Sequence, residues 1–307
     1  MSKVFLIILV SFMSIRSGAQ TDAALDLISE LSAGLQQSTF YRSVAPDTFT
    51  AQLRKRIKEP YDLHQGRTLF CWAAIPIAFL YDKYPVSMVN AAFSLYRYGY
   101  LDLQIPSAHL KLGTSRACRS AVGSRSFSGR RNKLRGRVLD QMVFLAFAEN
   151  YSCWLNADPH FSPGDQVNPL WASATLSKEA KVWQDLGLQS ECYGSDLPWR
   201  QPGKIVMIQA ELENGKIVAL YLNALTLYDW WFKIGKLRLP PPIPLFATHY
   251  VRATKLEETA NGYTISFWDR NGYQSREVSS ACLYRSIFGY VAVDTSLRSC
   301  DERLTAN

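Results

Sequence analysis

The chain has 307 residues, of which 48% are hydrophobic and 13% aromatic. This apolar content is enough to bury a large core, and it is typical of a globular protein with one elaborated domain or two small ones. Six cysteines are spread too thinly over this length for a small disulfide scaffold, and the formal net charge of +8 makes the chain basic.

The first residues have the pattern of a secretory signal. Lys3 precedes a ten-residue apolar run from Val4 to Met13, and the small residues Ser17-Gly18-Ala19 then supply a cleavage site. We therefore predict a signal peptide over residues 1–19, a mature chain beginning near Gln20, and a secreted or periplasmic protein. A short membrane anchor and a buried helix are the alternatives for the same apolar run.

Helical periodicity follows the leader. Leucine and isoleucine at spacings of three and four predict an amphipathic helix over residues 22–37, and a second, shorter helix is predicted over residues 48–58. We predict that residues 20–60 form an N-terminal helical region with a regulatory or propeptide role.

The segment "TLFCWAAIPIAFLY", residues 68–81, is almost entirely apolar and too long for an ordinary strand. It predicts a buried helix capped by Thr68, with Cys71 in its first turn. Pro76 either kinks this helix or marks the join between a short capped turn and the helix proper. A further helix is predicted over residues 86–99, where it ends at a glycine.

Residues 111–137 carry nine Lys or Arg side chains and no acidic one, with Ser and Gly between them. Such a run repels itself and cannot form a core, so we predict an exposed basic loop. It is either a solvated insertion or a docking patch for an anionic surface such as lipid headgroups or cell-wall polymer. It lacks the interleaved aromatic residues of a base-stacking platform, so no specific nucleic-acid partner is expected.

Helices are predicted again over residues 138–154 and 177–188, and strands dominate the remainder. Asn-Gly pairs between alternating apolar residues predict hairpin turns. The predicted strand segments are residues 204–222, turning at Asn214-Gly215, residues 246–278, turning at Asn261-Gly262 and Asn271-Gly272, and residues 287–294. Helices followed by antiparallel strands predict an α+β fold.

Cys71 has three interpretations: a buried packing residue, half of a disulfide, or a nucleophile. The sequence contains no CxxC motif and no His/Cys cluster with zinc spacing, so we expect neither a metal nor a cofactor. The six cysteines allow several disulfide pairings, and their spacing selects none of them.

A nucleophilic thiol must become a thiolate, which a helix N-terminus and a nearby imidazolium both favour. Cys71 is placed for the first effect. The second requires one of the four histidines, which are His64, His109, His160 and His249. Only His249 falls inside a predicted strand, where the scaffold would fix its direction, so it is the predicted partner.

An imidazole base also needs a group that orients its far nitrogen. Asp269 ends the strand predicted to pair with that of His249, so the two residues are expected to be cross-strand neighbours. Asn271 is the second choice. The amide of Gln65, together with the Cys71 backbone N–H, is predicted to stabilise the oxyanion of a tetrahedral intermediate.

These positions resemble those of a papain-like cysteine peptidase. In that family a glutamine of the oxyanion hole lies six residues before the nucleophile, and a tryptophan follows the nucleophile at the start of the central helix, as Gln65, Cys71 and Trp72 do here. The order of a helical half and a strand half is also similar. The resemblance implies a papain-like catalytic domain over residues 61–300, with the basic loop 111–137 as an insertion.

The resemblance also implies roles and an activity. Cys71 would be the nucleophile, His249 the general base and acid, Asp269 its orienting residue and Gln65 the oxyanion donor. The implied protein is an exported thiol hydrolase that cleaves peptide or amide bonds in a peptide or protein substrate, in a class that includes bacterial secreted proteases and antibacterial effectors.

Two other functions remain open. Asp in the third position is shared with transglutaminase-like proteins, so an acyl transferase using the same residues is the first alternative. The second is a catalytically inactive, surface-binding protein that acts through its basic loop.

Overall fold

The computed structural model describes residues 3–65, 68–123, 134, 136–151, 173–197, 201–224, 232–234, 237–239, 247–269 and 272–296. The chain divides into two compact units, residues 1–173 and 174–307. Helices make up most of the first unit and an antiparallel sheet forms the second, so the predicted α+β class is confirmed.

The first unit is helical except for one hairpin in its described part. Its elements are α1 (Lys3–Ser32), α2 (Pro46–Lys58), α3 (Cys71–Lys83), α4 (Pro85–Tyr98), β1 (Tyr100–Ile105), β2 (Ala108–Gly113), α5 (Arg116–Ala121) and α6 (Val138–Tyr151). Helix α4 ends as predicted, because Gly99 adopts a left-handed conformation and its N–H binds the Leu95 carbonyl.

The N-terminal helical region belongs to the packing of the first unit. Helix α1 contacts α2 and α4, and the buried side chains of Ile28, Phe49 and Leu53 lie on these helices. Helix α1 is continuous across the predicted cleavage site near Gln20. No helix in the described ranges is both long and apolar enough to cross a bilayer. The signal peptide and the propeptide role stay predictions.

Helix α3 is the buried helix predicted from the apolar run, and Pro76 lies inside it without ending it before Lys83. The predicted cap is wrong. Phe70 occupies the N-cap position, and the Thr68 hydroxyl instead donates a hydrogen bond to the Gln65 carbonyl at 2.6 Å. The Thr68 N–H also donates to the Gln65 carbonyl, at 3.3 Å, so Thr68 bonds to a residue before it in the chain and the helix starts at Cys71 itself.

The basic segment is not a loop over its first third. Residues up to Gly113 belong to β2, and α5 begins at Arg116, where the Ser115 hydroxyl accepts the Cys118 N–H. Helix α5 forms because Cys118 and Ala121 provide an apolar face that is buried. Residues 124–133 and 135 of the predicted loop lie outside the described residues.

The second unit contains a six-stranded sheet in which every neighbouring pair is antiparallel, in the order β3-β10-β4-β7-β8-β9. Its strands are β3 (Gln189–Gly194), β4 (Ile217–Leu222), β7 (His249–Thr259), β8 (Gly262–Asp269), β9 (Gly272–Val278) and β10 (Ile287–Asp294). In a separate two-stranded sheet, β5 (Phe232–Ile234) pairs with β6 (Leu237–Leu239) in antiparallel fashion. The helices are α7 (Leu176–Asp185), α8 (Lys204–Glu213) and α9 (Ser280–Ser286).

One predicted hairpin is wrong. Residues 204–213 form helix α8, and Asn214-Gly215 ends this helix before β4 begins. Ile205 and Ile208 are buried at a spacing of three, and Leu212 follows at four, which is a helical period that the strand assignment overlooked. β7 pairs with β8 and β8 with β9 as the predicted hairpins require, with Gly262 and Gly272 as the first residues of β8 and β9, and β10 supplies the predicted last strand.

Glu179 on α7 provides a stability prediction for the second unit. Its carboxyl is fully buried and accepts a hydrogen bond from Trp183 Nε1 at 3.1 Å, and Oε2 has no hydrogen-bond partner among the described residues. Burial raises the pKa of Glu179 from 4.5 to about 8, although the Trp183 bond lowers it. Between these values the folded protein keeps a proton that the unfolded chain releases, so stability falls as pH rises from about 4.5 to 8.

We therefore expect Glu179→Gln, which keeps an acceptor for Trp183 and removes the titration, to flatten this pH dependence. In thermal unfolding, the melting temperature of Glu179→Gln minus that of the wild type should increase steadily from pH 5 to pH 8. Glu258→Gln, at an exposed position of β7, is the control and should follow the wild type. Parallel curves for wild type and Glu179→Gln would contradict the prediction.

Candidate active site

Cys71 is the first residue of α3. The N–H groups of Ala73 and Ala74 both donate to the Phe70 carbonyl at 3.1 Å, which shapes the first turn around the cysteine. Cys71 carries a thiol, only 6% of the residue is exposed, and Trp72 beside it is fully buried. The helix N-terminus favours a thiolate here, whereas the burial also suits a packing cysteine.

Gln65 precedes α3 and is hydrogen-bonded to Thr68. Its side chain is buried, and Nε2 donates to the Thr68 carbonyl at 3.3 Å. Because an amide NH₂ has two hydrogens, this bond uses one donor of Gln65. The side chain therefore lies next to the turn that leads to Cys71, and its role as oxyanion donor stays a prediction.

A charged cluster anchors the segment that carries Gln65. Asp62 binds Lys55 of α2 at 2.9 Å and Arg137 at 3.1 Å, and the Arg137 guanidinium also donates to the Asp62 carbonyl at 2.7 Å. Burial raises the pKa of Asp62, but Lys55 and Arg137 outweigh it and lower the pKa to about 2. Asp62 is therefore ionised at neutral pH and holds this segment to the neighbouring helices.

A buried ion pair lies behind that cluster. Arg56 of α2 and Asp140 of α6 are each at least 95% buried. Arg56 Nη2 contacts both Asp140 oxygens at 2.8 Å, and Nε contacts one of them at 3.2 Å. This multidentate pair joins α2 to α6.

His249 is the first residue of β7, and its backbone pairs with Leu222 of β4. Asp269 is the last residue of β8. The structure brings the two side chains together, with His249 Nε2 3.5 Å from Asp269 Oδ2, and both residues are buried. This separation is within ion-pair range and is long for a hydrogen bond.

A second layer holds Asp269. Gln274 Nε2 of β9 donates to Asp269 Oδ1 at 2.9 Å, and Arg276 Nη2 donates to Gln274 Oε1 at 3.0 Å. Sequence reasoning missed both residues. The signal was available, because a hairpin that pairs Asp269 with Gly272 places Gln274 diagonally across from Asp269 on the same face of the sheet. Trp268 projects from the opposite face of β8 to Asp269, since successive residues alternate.

Other buried polar residues lie at the same edge of the sheet, where β4 ends and β7 and β10 begin. They are Lys204, Asn223 and Ser286. Lys204 Nζ donates to the Ile287 carbonyl at 2.8 Å, and burial lowers its pKa to about 8. Asn223 donates its backbone N–H to the Ser286 carbonyl at 2.9 Å. The buried polar character of this edge was not predicted.

The remaining histidines have local partners or lie elsewhere. His64 Nε2 is 3.1 Å from Asp62, and His109 Nε2 is 2.6 Å from Asp102 on the exposed face of the β1–β2 hairpin. His160 and the alternative orienting residue Asn271 lie outside the described residues. In the part of the chain that the structure describes, no group of three or more His, Cys, Asp or Glu side chains could hold a metal ion.

Three other cysteines are thiols: Cys118, Cys192 and Cys282. Cys118 is buried, and burial raises its pKa well above the ordinary range, so this thiol is protonated at neutral pH. Cys192 is exposed. Cys153 and Cys300 lie outside the described residues.

The predicted site residues fall in both units. Gln65 and Cys71 belong to the first, and His249 and Asp269 to the second. A scan against models of known protein families gives no match, and a search of curated proteins also finds no similar sequence.

Proposed function

We propose that the protein is a thiol hydrolase of the papain-like type, acting on peptide or amide bonds. The observation that carries the proposal is the buried His249–Asp269 pair at 3.5 Å, held from behind by Gln274. A buried imidazole oriented by a carboxylate is the arrangement that a general base requires. Cys71 is the first residue of the 13-residue helix α3, and this position favours the anion of its thiol.

In this proposal the Cys71 thiol gives its proton to His249, and the sulfur attacks the carbonyl carbon of the substrate. The carbon–nitrogen bond then breaks, and the leaving amine takes the proton from His249. Water, deprotonated by the same imidazole, cleaves the thioester and releases a carboxylic acid and the thiol. Gln65 is proposed to donate to the oxyanion in both steps.

A thiol-directed epoxide tests the assignment of Cys71 without knowledge of the substrate. We expect the wild type to be alkylated at Cys71 and the Cys71→Ser variant to lose this label, as measured by peptide mass spectrometry. A packing cysteine with 6% exposure would resist the reagent.

Two thiols serve as internal references for this experiment. Cys192→Ser removes an exposed thiol and should leave labelling of Cys71 unchanged, while buried, protonated Cys118 should stay unlabelled. Labelling of Cys192 with none at Cys71 would count against a reactive Cys71.

Acyl transfer would use the same thioester but deliver its acyl group to an amine. Incubation of the enzyme with a peptide substrate and a primary amine separates the two reactions. A free carboxylic acid as the dominant product supports hydrolysis, and a new amide supports the transferase. We favour hydrolysis.

We also propose that the protein is exported, on the basis of the leader pattern of residues 1–19. The secreted or periplasmic location and a contact between the basic segment and anionic surfaces are part of this proposal. Expression of the full chain in a bacterium, followed by N-terminal sequencing of the exported fraction, would show a new N-terminus near Gln20.

A further inference from the structure

We propose that Gln274 is a positioning residue, which fixes the carboxylate of Asp269 and thereby selects the tautomer of His249. The catalytic meaning of this inference rests on the proposed function, whereas its structural content concerns the second unit alone. Three side chains on two neighbouring strands carry it: Asp269 of β8, and Gln274 and Arg276 of β9.

The strand register places Gln274 correctly for this role. Gln274 lies directly opposite Phe267, which is two residues before Asp269 on the same strand. Residues two apart on a strand project from one face, so Gln274 and Asp269 are diagonal neighbours on that face. The Gln274 amide bridges the diagonal with a 2.9 Å hydrogen bond to Asp269 Oδ1.

The Gln274 amide is fixed at both ends. Its nitrogen faces a carboxylate, which only accepts hydrogen bonds when ionised, and its oxygen faces the Arg276 guanidinium, which only donates. Turning the amide over would set oxygen against oxygen at one end and N–H against N–H at the other. The Gln274 amide between Arg276 and Asp269 therefore has a single favourable orientation.

With the Gln274 amide in this orientation, the two Asp269 oxygens have different partners. Oδ1 is held by Gln274, so Oδ2 is the oxygen directed to His249 Nε2, at 3.5 Å. An acceptor facing Nε2 favours the neutral tautomer that carries its proton on Nε2. The lone pair then resides on Nδ1, which becomes the basic nitrogen. Under the proposed function, Nδ1 is the atom that receives the proton of Cys71.

Nitrogen-15 NMR of the full-length protein measures this tautomer directly. The chain contains only four histidines, and a His249→Gln variant assigns the signals of His249. At a pH where the ring is neutral, we expect the wild type to hold its proton mainly on Nε2. In Gln274→Met, which has similar length and no donor, we expect the ratio of the Nε2–H to the Nδ1–H form to fall about tenfold. Loss of one hydrogen bond to a charged group has an effect of this order.

Ser275→Ala is the matched control, because it changes the next residue of β9, which projects from the other face. Its tautomer ratio should equal that of the wild type. A wild-type ring with its proton mainly on Nδ1, or an unchanged ratio in folded Gln274→Met, would overturn the inference.

A second variant keeps the test decisive if Gln274→Met fails to fold. Arg276 is exposed, so Arg276→Met removes the hydrogen bond from Arg276 to Gln274 with little risk to folding. We expect a fall of about twofold in the same ratio, the lower end for a single hydrogen bond. No change in this variant would refute the anchoring of Gln274 by Arg276 and with it the proposal.

The alkylation rate of Cys71 separates this inference from the proposed function. If both hold, Gln274→Met should alkylate about two- to fivefold more slowly than Ser275→Ala, because the rate follows the fraction of His249 that carries its proton on Nε2, and a tenfold fall from a ratio between about 1 and 10 lowers that fraction by this amount. A shifted ratio with no reactive Cys71 in any variant would refute the hydrolase and leave Gln274 as the residue that positions Asp269.

Discussion

Replacement of His249 by alanine is expected to lower the rate of hydrolysis, as kcat/KM, by about 10³-fold or more, because the thiol loses its base and the leaving amine loses its acid. The buried His249–Asp269 pair is the part of the proposed mechanism that the second unit holds in place. The alkylation rate of Cys71 by a thiol-directed epoxide should fall in parallel, and it measures the same effect without a known substrate.

The chain offers a matched control for this prediction. His109 also contacts an aspartate, at 2.6 Å, but its side chain lies on the exposed face of the β1–β2 hairpin. His109→Ala removes the same chemical groups from the protein and should leave both rates within about twofold of the wild type. Equal losses in the two variants, or none in His249→Ala, would exclude the assigned role of His249.

Arg56→Met is expected to lower the free energy of unfolding of the first unit by about 3–5 kcal/mol, because it leaves the buried Asp140 carboxylate without its guanidinium. Arg137, the nearest remaining cation in contact with Asp140, is 3.5 Å away and is already engaged with Asp62. Amide hydrogen exchange of α2 and α6 measures the loss within the first unit alone.

Two further variants identify the cause of that loss. Lys58→Met changes an exposed cation on the same helix and should alter the free energy by less than about 0.5 kcal/mol. The double variant Arg56→Met with Asp140→Leu removes both charges and should recover most of the stability, since an apolar pair of similar volume replaces a buried ion pair at little cost. Failure of the double variant to recover would indicate that packing, and not the orphaned charge, dominates.

The strand half around the candidate site could be predicted because its signals are local. Two Asn-Gly pairs in the sequence predict the hairpins of β7, β8 and β9, and the pairing of these strands brings the end of β8 towards the start of β7. His249 and Asp269 are therefore predictable neighbours from turn chemistry and strand alternation alone.

Other parts could not be predicted from the same rules. The β-rich composition of residues 204–213 competes with a helical period, and the packing of Ile205 and Ile208 against the sheet decides for the helix. The strand assignment for this segment also gives no indication that Lys204 is buried. Its ammonium binds the carbonyl of Ile287, on a strand distant in sequence. Thr68 has the sequence signature of a helix cap because it is a threonine just before an apolar run. Its hydroxyl instead binds the Gln65 carbonyl, and capping rules do not consider that bond.

The position of β9 at the end of the strand order has a consequence for how the candidate site responds to its surroundings. Among the described strands β9 pairs only with β8, so the groups that steady Asp269 sit on an edge strand, which has backbone hydrogen bonds to a neighbouring strand on one side only. Fraying of β9 would release Gln274 before any core side chain is disturbed. A ligand that adds a strand to the free edge of β9 would instead stiffen this strand. Peptide binding along β9 would then tune the proton affinity of the His249 imidazole, two strands away.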